Sequence, residues 1–238
     1  MIQFYAPDIE KTLSLPQDES AHCVRVLRKK AGDEIYVTDG KGNRFICNIL
    51  DADQFKTKLN IKDKICLLDE KGYSLTLAIA PTKNSDRMEW LAEKAVEIGV
   101  DKIVLLGCER SERKILKTDR ILRIMVSAMK QSLDTKLPVL TELIDFREFV
   151  ISQDDVSKKF FGYCSAEYPK KLFVEQYTPG GDVVVMIGPE GDFSPSEVDL
   201  AVNQGFIPVT FGNKRLRTET AGLFAICAVT TINQQAQH

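Results

Sequence analysis

Two stretches near the carboxyl end of this 238-residue chain combine residue types that could do chemistry. The first is Ile187-Gly188-Pro189-Glu190-Gly191-Asp192-Phe193. The second runs from Phe211 and Gly212 through Lys214, Arg215, Leu216, Arg217, Thr218, Glu219 and Thr220 to Ala221. Each leaves an expected strand and opens into an expected helix, and open α/β sheets bind ligands in crevices beside such strand ends. Glycine carries no Cβ, so backbone N–H and C=O groups there approach a ligand closely. Those groups suit a neutral heterocycle better than a bare phosphate. The plainer reading of the first stretch is a sharp turn, which accounts for the glycines and proline but not for Glu190. The plainer reading of the second is a basic loop entering a capped helix, whose N-terminus favours Glu219 regardless of function. Side by side, the two loops point to a ligand site.

Other chemistries lack their residues. There is no G-x-x-x-x-G-K-[ST] and no G-x-G-x-x-G after a strand, which disfavours P-loop enzymes, kinases and ordinary dinucleotide enzymes. Cys23, Cys47, Cys66, Cys108, Cys164 and Cys227 form no C-x-x-C pair and no zinc spacing, so they read as buried small residues in a reducing compartment. With His22 and His238 the only histidines, a metal centre or histidine triad has little to work with. The net charge of −2 carries no whole-chain sign of nucleic-acid binding. Local charge differs. Residues 108–136 hold eight positive and four negative side chains, among them Arg110, Arg113 and Lys114. His22, Arg25, Arg28 and Lys29 lie close together, with Lys41 and Arg44 further on. Both groups read as ordinary solvated faces or as contacts for an anionic backbone.

The elements that must position these residues fall into two regimes. Up to residue 72, Glu34–Thr38, Arg44–Leu50 and Lys56–Ile61 alternate apolar and polar around a glycine turn at 39–43, as a small antiparallel β module does. Residues 69–73 are the expected linker. From residue 73 the pattern is α/β: an apolar strand at Leu75–Ala80, a helix from Ser85 or Asp86 with Asp86 and Glu89 at capping-box spacing, and a strand at Lys102–Leu106. Thr118 is placed to cap a helix striped by Ile121, Leu122, Met125, Ala128 and Met129. Strands follow at Lys159–Tyr163 and Asp182–Ile187. Ser194, Pro195 and Glu197 then mark a helix start. Phe206–Phe211 returns to the sheet with Pro208 suggesting an edge or bulge, and a last helix spans about 218–234. At 44% apolar and 28% charged residues, cores are affordable. The N-terminal residues do not resemble a signal peptide and no apolar run nears the roughly 18 residues of a membrane span, so a cytoplasmic protein is expected.

At these residues the chain resembles the ribosomal RNA small-subunit methyltransferase E family. The resemblance rests on Gly188–Phe193, Ser194–Glu197, Gly212–Ala221, His22–Arg28 with Gly32 and Asp33, Glu93–Val100, and Glu109–Ser111. It departs at Lys130-Gln131-Ser132-Leu133-Asp134, where the family has Glu-Gln-Ser-Gly-Arg, and at Ile2 and Gln3, where an arginine is usual. The resemblance implies a PUA-like RNA-binding β-barrel over residues 1–72. It implies a SPOUT-type α/β domain with a trefoil knot over 73–238, acting as a homodimer. The activity implied is methylation of a uridine N3 in 16S rRNA of the small ribosomal subunit, using S-adenosylmethionine. Ile187, Gly188, Glu190, Gly191, Phe211, Gly212, Leu216, Arg217, Thr218 and Thr220 would then hold the cofactor. Arg217, Arg110 and Glu219 would serve catalysis, and His22, Arg25, Arg28, Lys29, Arg44, Arg110, Arg113 and Lys114 would meet RNA. The rival readings are a SPOUT enzyme acting on another RNA such as tRNA, and a non-catalytic RNA-binding assembly protein.

Overall fold

The computed structural model describes residues 2–67, 71–113, 117–153, 156, 158–165 and 169–237. Lys114, and Asp69 and Glu70 of the expected linker, lie outside the described residues. Two compact units are present, Met1–Glu70 with Val126–Leu137 and Lys71–Met125 with Pro138–His238. The grouping of Val126–Leu137 with the N-terminal residues has no counterpart in composition along the chain.

The first unit is a four-stranded sheet in the order β1-β2-β3-β4, formed by Gln3–Tyr5, Glu34–Thr38, Asn43–Asp51 and Lys58–Cys66. β2, β3 and β4 pair antiparallel, as their alternation demands, while β1 joins β2 in parallel. Leu15 N–H donates to Thr57 O and Leu59 N–H to Leu13 O, so residues 13–15 pair with the start of β4. Two short helices, α1 (Ile9–Thr12) and α2 (Gln17–Ala21), lead into a π turn at His22–Val26. Phe4, Ile9, Leu15, Cys23, Ile35, Val37, Phe45, Cys47, Ile49 and Leu59 form the core.

The second unit is a seven-stranded, wholly parallel sheet in the order β7-β6-β5-β10-β8-β11-β9. The strands are β5 (Tyr73–Ile79), β6 (Lys102–Gly107), β7 (Val139–Asp145), β8 (Lys158–Gly162), β9 (Lys171–Leu172), β10 (Gly181–Ile187) and β11 (Ile207–Thr210). Its helices are α3 (Ser85–Ile98), α4 (Thr118–Gln131, which crosses into the first unit), α5 (Phe146–Ile151), α6 (Phe173–Gln176), α7 (Pro195–Asn203) and α8 (Thr218–Ala236). β10 sits between β5 and β8, and Val183–Ile187 are all buried, as befits a parallel strand covered on both faces. α7 has the expected capping box of Ser194 and Glu197. The cap of α3 is Asn84, whose side chain accepts from Asp86 N–H, so the Asp86–Glu89 box does not form. Pro208 is not at an edge, because β11 lies between β8 and β9. β9 is two residues long and pairs only with Val209 and Thr210, so no partner there asks Pro208 for an N–H. α8 packs on α3 and β5. Gly222 makes this possible: a Cβ there would lie 3.0 Å from Ile79 Cδ1. No helix among the described residues is long and apolar enough to cross a membrane.

Candidate active site

The carboxyl ends of β8, β10 and β11 open onto one cavity of about 330 Å³ in the second unit. Gly162 and Tyr163 line it from β8, Ile187 to Glu190 from β10, and Val209 to Phe211 from β11. Ile187, Pro189, Val209, Phe211, Leu216 and Ala221 give the lining its apolar part, and Arg87, Glu190, Asp192, Arg215, Arg217 and Glu219 are among its charged residues. Gly162 is required here, since a Cβ would fall 2.7 Å from Phe211 Cε2. The Phe211 ring is fixed between Phe173 and Phe224, at centroid distances of 5.6 and 5.7 Å.

The two loops read from sequence as one site are tied to each other. Thr218 Oγ1 donates to Gly188 O at 3.2 Å, joining the start of α8 to the loop after β10. An Arg215 Nη2 donates to Glu190 O at 3.1 Å. Glu190 itself accepts from Lys83 N–H, and Asp192, at φ +62°, accepts from Cys164 N–H. Partial burial and the Asp192 charge push the Cys164 thiol up, against the opposing pull of Arg215 and Lys170.

Ile187, Gly188, Glu190, Phe211, Leu216, Arg217 and Thr218 line the cavity, as does Glu219. Gly191, Gly212 and Thr220 do not. Gly191 rests on the Arg110 side chain, and Thr220 lines an adjoining cleft that shares Arg87, Arg215, Leu216, Arg217 and Glu219 with the cavity. Arg110 is also outside the cavity. Its Nη1 donates to Gly191 O at 3.1 Å and to Phe193 O at 3.2 Å, so it holds the loop that follows β10. The guanidinium of Arg217, exposed just before α8, has no hydrogen-bond or ion-pair partner among the described residues. Glu219 is only 6% exposed. Its Oε1 lies 3.7 Å from Arg87 Nε, and its Oε2 has no hydrogen-bond partner.

Sequence reasoning missed Gly162, Tyr163, Cys164, Asp192 and Arg87. The signal for the first was a glycine at the end of the strand Lys159–Tyr163; nothing local marked Arg87, which the packing of α3 beside α8 brings in.

The candidate RNA contacts divide likewise. In the first unit, exposed Arg25 bonds to half-buried Gln54, Arg28 is exposed at φ +54°, and Lys29 is half-buried. The His22 ring meets Phe4 edge-on at 6.1 Å. Arg44 is engaged inside its unit, donating to Gln3 Oε1 and to Leu133 O. Arg113 lies in the second unit and is half-buried.

A family described as RNA methyltransferase domain matches residues 69–230, and RNA methyltransferase PUA domain matches residues 15–60. The chain belongs to the RNA methyltransferase family. Within it the chain groups with the ribosomal RNA small subunit methyltransferase E proteins. The one from Bacillus subtilis is 25% identical over 92% of this chain and 89% of its own length. The crystal structure of a probable rRNA-methyltransferase from Porphyromonas gingivalis is 43% identical, with TM-score 0.94 over 99% of this chain and 100% of that one. A ribosomal RNA small subunit methyltransferase E from Neisseria gonorrhoeae, bound to S-adenosyl methionine, is 29% identical with TM-score 0.83 over 98% of both chains. The mixed α/β fold with its PUA-type N-terminal unit is that of the family.

Proposed function

We propose that this chain methylates N3 of a uridine in 16S rRNA of the small ribosomal subunit, with S-adenosylmethionine as donor. The observation that carries this reading is the cavity at three parallel strand ends. Its apolar residues, Ile187, Val209, Phe211 and Leu216 among them, fit an adenosyl group, and an uncommitted guanidinium and a buried carboxylate are part of its lining. The likeness to the cofactor-bound Neisseria relative supports the same donor.

When bound, S-adenosylmethionine supplies a methyl group from its sulfonium, and the electron pair of the broken bond stays on sulfur. Ile187, Gly188, Glu190, Phe211, Leu216 and Thr218 would hold it. Uridine N3 must lose its proton, so negative charge develops on the base. Arg217 stabilises that charge, an electrostatic role that a cation beside the reacting base fills. Arg110 acts on the cofactor loop as a positioning residue. Holding both reactants in one place supplies much of the remaining acceleration. The target base must be unstacked or flipped to reach the site. Residues 1–72 serve as the RNA-binding module, with Arg25 and Arg28 as phosphate contacts, and 73–238 as the catalytic domain. A homodimer, a knotted C-terminal domain and a cytoplasmic location complete the reading.

The test is methylation of free 16S rRNA and of small ribosomal subunits by the purified protein, followed by nucleoside analysis. N3-methyluridine at one site is the expected product. Methyl transfer to tRNA alone, or no transfer by protein that binds RNA, overturns the reading in favour of its rivals.

A further inference from the structure

The cleft adjoining the cavity is lined by Asp86, Arg87, Trp90, Arg215, Leu216, Arg217, Glu219 and Thr220, and it is basic with one indole. Arg87 and Trp90 lie one turn apart on α3, hence on one face of that helix. Trp90 is 43% exposed, unusual for the one tryptophan of a chain. Glu219 stands at the boundary, lining cavity and cleft alike. It is more than nine-tenths buried, and Arg87 engages only Oε1. A buried carboxylate oxygen without a donor carries a desolvation cost, and such a group calls for an explanation. No donor among the described residues reaches it.

We infer that this cleft seats the acceptor base, with Trp90 as its stacking platform and Glu219 Oε2 as the acceptor of its ring N–H. This inference rests on the proposed methylation of a uridine. A planar base fits beside an indole, and bases of any sequence stack on aromatic side chains. Arg87 and Arg215 suit the phosphates of the same nucleotide, which leaves Arg217 to the base. The chemical step is a proton transfer. The N3–H bond breaks, an O–H bond forms at Glu219, and the electron pair remains on N3 as the attacking pair. The proton leaves Glu219 for water after turnover. Location and chemistry together decide the role: of the five residues lining both compartments, where the two reactants join, Glu219 is the one carboxylate.

Because Trp90 is the only tryptophan, its fluorescence reports on the cleft directly. The probe is a short rRNA fragment containing the target uridine, added to wild-type protein saturated with S-adenosylhomocysteine. Quenching of Trp90 is expected, and weaker quenching when the fragment carries N3-methyluridine. Trp90→Ala should raise the KM for RNA by roughly tenfold, with Trp90→Phe restoring most of it. Glu219→Gln should lower kcat by about 10²-fold or more while S-adenosylhomocysteine binding, read by calorimetry, stays within a few-fold. The inference is overturned if the fragment binds with Trp90 emission unchanged, if Trp90 responds to protein dilution and not to RNA, or if Glu219→Gln loses cofactor binding. Absence of cofactor binding by the wild-type protein would sink the proposed function itself, a separate result.

Discussion

Three arginines near the cavity divide between two fates. Arg110 and Arg215 donate to loop carbonyls, while Arg217 keeps its guanidinium uncommitted at the wall shared by cavity and cleft. Charge that develops during reaction is best met by a group without a prior partner. Arg217→Ala should therefore lower kcat by about 10²-fold or more with cofactor affinity nearly unchanged, as steady-state kinetics and calorimetry would register. Arg110→Ala should do the reverse, weakening cofactor binding through a loosened loop at Gly191 and Phe193. The two arginines carried equal weight in the sequence because partner choice depends on a carbonyl more than 80 residues away along the chain.

At the level of elements, the strands with the purest patterns were legible to within a residue or two. Glu34–Thr38 and Asp182–Ile187 are cases, one alternating and one continuously apolar. β7 was not foreseen, because it is an edge strand whose residues are mostly half-exposed and interrupted by Thr141 and Glu142. α5 and α6, of six and four residues, are too short for helical periodicity to register. The two glycine loops were legible as a pair, yet β8 as the third wall of the site was not, since only the sheet order sets it beside β10. Its Gly162 invites a direct test. Gly162→Ala drives a methyl group against a Phe211 ring that Phe173 and Phe224 hold from other sides. Thermal or denaturant unfolding should show a loss of about 1–3 kcal/mol, with weaker cofactor binding. β3 offers a pH test. Burial pushes the Cys47 thiol from its ordinary 9.0 up to about 12. Between those values the folded state keeps a proton that the unfolded state has lost, so stability falls as pH rises through that window. Cys47→Ala should lower the whole stability curve yet make its alkaline slope shallower in denaturant titrations.

On the scale of the whole molecule, the chain is mildly acidic but carries basic side chains in local groups. Within the first unit, exposed Arg25 and Arg28 differ from Arg44, which is bonded to Gln3 and Leu133. Measured across salt concentrations, RNA binding by Arg25→Ala or Arg28→Ala should show a slope of log affinity against log salt reduced by about 1. Arg44→Ala should leave that slope unchanged and lower the melting temperature instead. The proposed catalytic site lies in the second unit, where three parallel strand ends and the start of α8 line the cavity. A crystal soaked with S-adenosylmethionine tests that claim most directly. The adenosyl group is expected between the loops that follow β10 and β11, against Phe211 and Leu216 and near Gly162. Density for the compound elsewhere, such as the surface cleft beside Cys108, Asp145 and Ser196, with the cavity empty, would contradict it.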